Sequence, residues 1–114
     1  MKSQEQVSFS KYGKSFQEGL AALILQDRAF SDQIQEVLET EYFELKYLQV
    51  FVDRIFAYKE KYSVHPSMKI LLTILRTELD DETDAIKKQT RDYFSRIYNA
   101  EIKDEEFIKN TSLD

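Results

Sequence analysis

Residues 45–62, LKYLQVFVDRIFAYKEKY, constrain the fold more than any other stretch of the chain. Wound at 3.6 residues per turn, they bring Leu45, Leu48, Val52, Ile55, Phe56 and Tyr62 to one side, with Tyr47, Phe51 and Tyr58 along its edge. An apolar face covering roughly half of the helix circumference is wider than one neighbour can cover. The segment is therefore expected to be the long central helix of a small bundle. Its opposite side, Lys46, Asp53, Arg54, Glu60 and Lys61, reads as a solvated face.

With 114 residues the chain has room for one domain with a real core. Two glycines and one proline are too few for the tight turns of an all-β fold, and the two glycines, Gly13 and Gly19, cannot build a phosphate-cradling loop. The expected class is all-α, a small orthogonal helical bundle of five to six helices. An aromatic share of 13%, with seven Tyr and eight Phe, puts aromatic side chains at the centre of that core. A net charge of -5 opposes direct binding to a phosphate backbone by the domain as a whole. No apolar run has the length of a membrane span, and MKSQEQVSFS lacks the apolar core of a signal peptide, so the expected location is cytoplasmic, away from the membrane.

The remaining elements follow in order. Residues 1–12 read as a mobile arm in which Val7, Phe9 and Tyr12 are the side chains most able to dock. Ser15 and Glu18 have the spacing of a capping box opening the first helix, which carries Phe16, Leu20, Leu23 and Ile24, with Gly19 marking a tight helix contact. Asp27 caps a second, short helix with Phe30, Ile34, Val37 and Leu38 on one side. Tyr42 and Phe43 plug the core from a turn. Pro66 ends the central helix, and a fourth helix begins at Ser67 or Met68 and runs to about Leu79. Acids at Asp80, Asp81, Glu82 and Asp84 open a fifth, with Ile86, Tyr93, Phe94, Ile97 and Tyr98 facing inward. Asp104, Glu105 and Glu106 open a last one that the sequence barely begins, so the chain reads as part of a longer protein.

The sequence offers little to catalysis. His65, the single histidine, has no sequence neighbour to serve as a metal or acid–base partner and reads as a loop residue. The acids at 80–84 lack the alternating ligands and mid-loop glycine of a calcium loop, and read as helix-capping groups. Lys87, Lys88 and Arg91 sit among acids and read as a solvated face. Neither metal nor cofactor is expected, and the reading is not an enzyme.

At the joints between these elements, the sequence resembles the N-terminal domain of the DnaB-like replicative DNA helicases. The resemblance rests on Glu18 to Leu25, EGLAALIL, followed by Gln26 and Asp27; on Glu41, Tyr42 and Phe43; and on the long helix at 45–62 followed by Pro66 and a Leu-rich helix. YFELKY at 42–47 and DEEFI at 104–108 are similar to the phage-type branch. Tyr12 and Gly13 stand where the family commonly has a proline. The resemblance implies a helical domain without ATPase activity, at 13–103, followed from 104 by the start of a helical hairpin or linker leading to a motor domain. It further implies a collar built from paired copies in a hexameric ring, docking a primase or a helicase loader. On that view Phe107 and Ile108 are the first candidates for the pairing interface, because a helix this short cannot bury them alone. Tyr47 and Tyr58 are further candidates. A freestanding helical adaptor or helicase-binding regulator is the alternative.

Overall fold

The computed structural model describes residues 8–114, an all-α bundle whose six α-helices are α1 (Gly13–Gln26), α2 (Arg28–Gln35), α3 (Lys46–Tyr62), α4 (Met68–Thr77), α5 (Asp84–Ile97) and α6 (Glu105–Leu113). Among these residues no helix is long and apolar enough to cross a membrane. Val7 and the rest of 1–7 lie outside the described residues.

Helix boundaries follow local chemistry. The Asp27 carboxylate accepts from the Phe30 N–H (3.0 Å) at the start of α2, as its position predicts. The Ser67 hydroxyl accepts from the Ile70 N–H (3.1 Å) at the start of α4. α5 starts later than the acids suggest: Asp80, Asp81 and Glu82 form the preceding turn, and the Thr83 hydroxyl caps the helix through the Ile86 N–H (3.2 Å). α3 ends on Ser63, whose left-handed backbone (φ 61°) returns its N–H to the Lys59 carbonyl. The expected capping box does not form. α1 begins two residues before Ser15, at Gly13, with no side-chain cap, and Glu18 is drawn elsewhere.

α1 is buried all round from Leu20 to Ile24, and Leu25 nearly so. It packs against α2, α3 and α6, while α3 packs in turn on α4 and α5. The aromatic plug forms as expected, with Phe43 fully buried and its carbonyl accepting from the Gln49 side chain (2.7 Å). Phe51 lies at the centre of the core rather than at its edge, with its ring edge-on to Tyr93 at 4.9 Å.

Of the segment expected to be a mobile arm, residues 8–12 are described, and Phe9 among them joins the core. The Phe9 side chain is buried, edge-on to Phe43 at 5.4 Å, and its N–H donates to the Tyr42 carbonyl (2.8 Å). Gln17, wholly buried, holds this region together: its side-chain oxygen accepts from the Glu44 N–H (2.8 Å) and its amide donates to the Phe9 carbonyl (3.4 Å). A buried amide left without those partners would be costly, so Gln17 fixes where both segments cross α1.

Three inward assignments fail at helix ends. α2 stops at Gln35, which leaves Val37 57% exposed while Leu38 turns in. Tyr62 and Tyr98 are also exposed, because α3 and α5 run past the edge of the core. The C-terminal segment departs further from expectation. α6 folds back onto α1 and α2 and buries Ile108 within the chain. Gly19 makes this possible: a Cβ there would lie 2.8 Å from the Ile108 Cδ1. The expected tight contact at Gly19 is this notch.

Phe51→Ala is expected to lower unfolding free energy by about 3–5 kcal/mol in denaturant titrations. Gly19→Ala should be close to neutral, since the gain of about 1 kcal/mol in helix propensity offsets a small rotation of the flexible Ile108 tip. Gly19→Leu fills the notch and should expel Ile108, seen as faster tryptic cleavage after Lys109; unchanged cleavage would contradict the notch.

Candidate functional site

One end of α1, the α5–α6 connection and α6 enclose a groove of about 630 Å³. Its floor is small or aliphatic, Gly19, Ala22 and Ile108, and its rim carries Tyr12, Ile102 and Phe107. Phe107 is 59% exposed although its ring meets Phe16 edge-on at 6.2 Å. Tyr12 stacks on the other side of Phe16, at 4.6 Å. Successive residues of one helical turn explain the split in α6: Ile108 points into the notch, and Phe107 is left at the lip.

Glu18, on the wall of the groove, is the charged centre of the molecule. Arg96 of α5 grips both carboxylate oxygens (2.9 and 3.0 Å), and the Tyr47 hydroxyl of α3 donates to one of them. The Tyr93 hydroxyl donates to the Glu18 backbone carbonyl, and the Arg96 guanidinium lies over the Tyr93 ring at 5.5 Å. Four side chains thus tie α1, α3 and α5 together. A fork-to-carboxylate pair is geometrically specific, and here the carboxylate is largely covered while the Arg96 side chain is half exposed. Burial pushes the Glu18 carboxyl upward, but the bonds from Arg96 and Tyr47 outweigh it and hold the group below its ordinary 4.5. Burial, then the Glu18 charge, push the Tyr47 hydroxyl up to about 12.

A second charge cluster fastens α6. Lys109 Nζ lies 2.6 Å from the Asp27 carboxylate and 2.7 Å from that of Glu105. Asp27 therefore caps α2 and anchors α6 at once, and Lys109 holds its carboxyl below the ordinary value. At the far end of α1 the His65 Nε2–H donates to the Leu25 carbonyl (2.6 Å), so the histidine pins the loop after α3 to α1. Nothing in the sequence around His65 signals that role.

Of the four residues expected at an interface, the structure brings Phe107 and Ile108 to the groove and leaves Phe107 exposed there. Ile108 is buried because Gly19 admits it. Tyr47 is buried with its hydroxyl committed to Glu18, and so presents nothing outward. Tyr58 is half-buried at the other end of α3, beside Tyr62 at 4.7 Å. Sequence reading missed Tyr12 and Ile102 as rim residues. Among the described residues, no three His, Asp or Glu side chains converge as a metal site. No family model, no curated protein and no solved structure matches the chain.

Glu18 carries a definite pH dependence. Its folded value is depressed, so its contribution to stability is present above about pH 4.5 and is lost as pH falls through the lowered folded value. Glu18→Gln should make that acid limb of the unfolding free energy shallower, leaving the share that Asp27 carries; an unchanged limb would place the acid dependence elsewhere. At the alkaline end, spectrophotometric titration should show one tyrosine fewer ionising near pH 12 in Tyr47→Phe than in the parent chain.

Proposed function

We propose that the chain is a protein-interaction domain and, on its resemblance to the DnaB-like helicases, the N-terminal collar domain of a phage-type replicative helicase. In that reading it has no ATPase activity of its own, supports assembly of the ring from paired copies, and docks a primase or a helicase loader. The observation that carries the interaction reading is the groove with its aromatic lip. Phe107 and Tyr12 both lie against Phe16, and an aromatic side chain with two rotatable bonds loses little conformational entropy when a partner covers it. A modest patch of this kind gains strength when repeated around a ring, because each added contact becomes intramolecular.

One observation favours the second reading, a freestanding helical adaptor or helicase-binding regulator. α6 closes onto α1 and α2 instead of projecting as an arm for pairing, and Ile108 is consumed inside the chain. The two readings differ in what binds what. A collar domain associates with its own copies and with primase or loader. An adaptor stays monomeric and binds an assembled helicase ring.

Isothermal titration against a phage-type primase and loader, together with sedimentation of the chain alone, separates them. The collar reading predicts self-association or partner binding that Phe107→Glu weakens by about tenfold or more, the scale of a central aromatic anchor. A chain that stays monomeric at millimolar concentration and binds neither primase nor loader would overturn it.

A further inference from the structure

The attachment of α6 differs from that of every other helix. It has nine residues and a single buried one, Ile108. Beyond that knob it is fastened by the Lys109 bridge to Asp27, by the edge contact between Phe107 and Phe16, and by the half-buried Leu113 at its end. A helix this short is marginal in water, so α6 is helical only while docked. The residue that leads into it, Asp104, holds a left-handed backbone (φ 59°) and gives no side-chain cap, although an aspartate stands at the capping position. Aspartate is among the few residues that visit this region readily, so Asp104 makes a sharp turn at the start of α6. Between the end of α5 and the start of α6 lie residues 98–104, long enough to extend away from the parent bundle.

We propose that α6 is an exchangeable strap: it leaves its own bundle and seats in the same notch of a second copy of this chain, and the second copy's α6 returns the exchange. The occupant is defined by the contacts α6 already makes. Ile108 would enter the other copy's Gly19 notch, and Lys109 would reach the other copy's Asp27, so the contacts made by α6 are kept in the exchanged dimer and only those of the connection, at Ala100 and Ile102, are given up. The connection at 98–104 is the part that changes. Such exchange is a low-cost route to a symmetric dimer, because the two interfaces are identical by construction. Gly19 and Asp27 act as receptor residues, and Ile108 and Lys109 as the inserted ones. The exchange rests on the interaction reading for its purpose, but not for its measurement. A chain that exchanges α6, binds neither primase nor loader, and self-associates as strongly with Phe107→Glu as without it would keep the strap and lose the collar.

The chain has no cysteine, which permits a direct test. Two single variants of the full chain, Asp27→Cys and Lys109→Cys, are mixed, unfolded, refolded together at high concentration and treated with a short bismaleimide. Exchange predicts a product of doubled mass containing one copy of each variant, absent when either variant is refolded alone. It also predicts loss of that product when Gly19→Leu is added to the Asp27→Cys chain. Because both variants remove the Lys109 bridge, the parent chain is followed in parallel by light scattering, where exchange predicts a dimer that reverts to monomer slowly on dilution. No mixed product together with a parent chain that is monomeric after concentrated refolding would overturn the proposal. A mixed product formed equally well with Gly19→Leu present would overturn it too.

Discussion

Five successive side chains of α1, Leu20 to Ile24, are fully or almost fully buried, and the helix therefore has no solvent face along its middle. A helix that is apolar all round cannot lie on a surface; it must be enclosed. That requirement orders the rest of the molecule. α2 and α3 cover two sides, Gln17 ties the connection at Glu44 to the start of the helix, and α6 covers Gly19. The small residues Gly19, Ala21 and Ala22 let several neighbours approach the same short helix. α3, the longest element, shares this centre by supplying Leu48, Phe51, Val52 and Ile55 to the same core.

Enclosure carries an electrostatic condition. α1 enters the core next to Glu18, and a carboxylate there has lost enough water to need partners. Arg96 and Tyr47 answer it from two other helices, and the Tyr93 hydroxyl donates to the Glu18 main-chain carbonyl, so the polar network sets the angle at which α1, α3 and α5 meet. The groove opens beside this network, which gives it one rigid wall. Its other wall, α6, is held by one buried knob and one charge cluster. A binding face built from one fixed side and one loosely held side suits recognition, because segments of low local stability are the ones that rearrange on binding.

The helical class and most of the core were legible in the sequence, because apolar spacing reports a buried face wherever the face is long. Asp27 was legible as a cap for a different reason: its bond to Phe30 is local, three residues away. The Ser15 and Glu18 spacing misled because the pattern is also local, whereas Glu18 is claimed by Arg96, far along the chain. Periodicity also cannot tell where a helix outruns its core, which is why Tyr62 and Tyr98 were placed inside. Gly19 was read as a close contact, but its partner, Ile108, could not be named from spacing. With that partner unknown, Ile108 was assigned to an outer interface. The groove rests on the same long-range pairing and was invisible for the same reason.

The central claim is that α1 is the rigid core of the bundle and α6 a separately held cover. Amide hydrogen exchange across the whole chain tests it most directly. The account predicts the slowest exchange at residues 20–25 of α1, at the free energy of global unfolding, with the amides of α6 exchanging together through a smaller opening that leaves α1, α3 and α5 closed. Exchange of α6 at the same free energy as α1, so that both open only when the whole bundle unfolds, would contradict it.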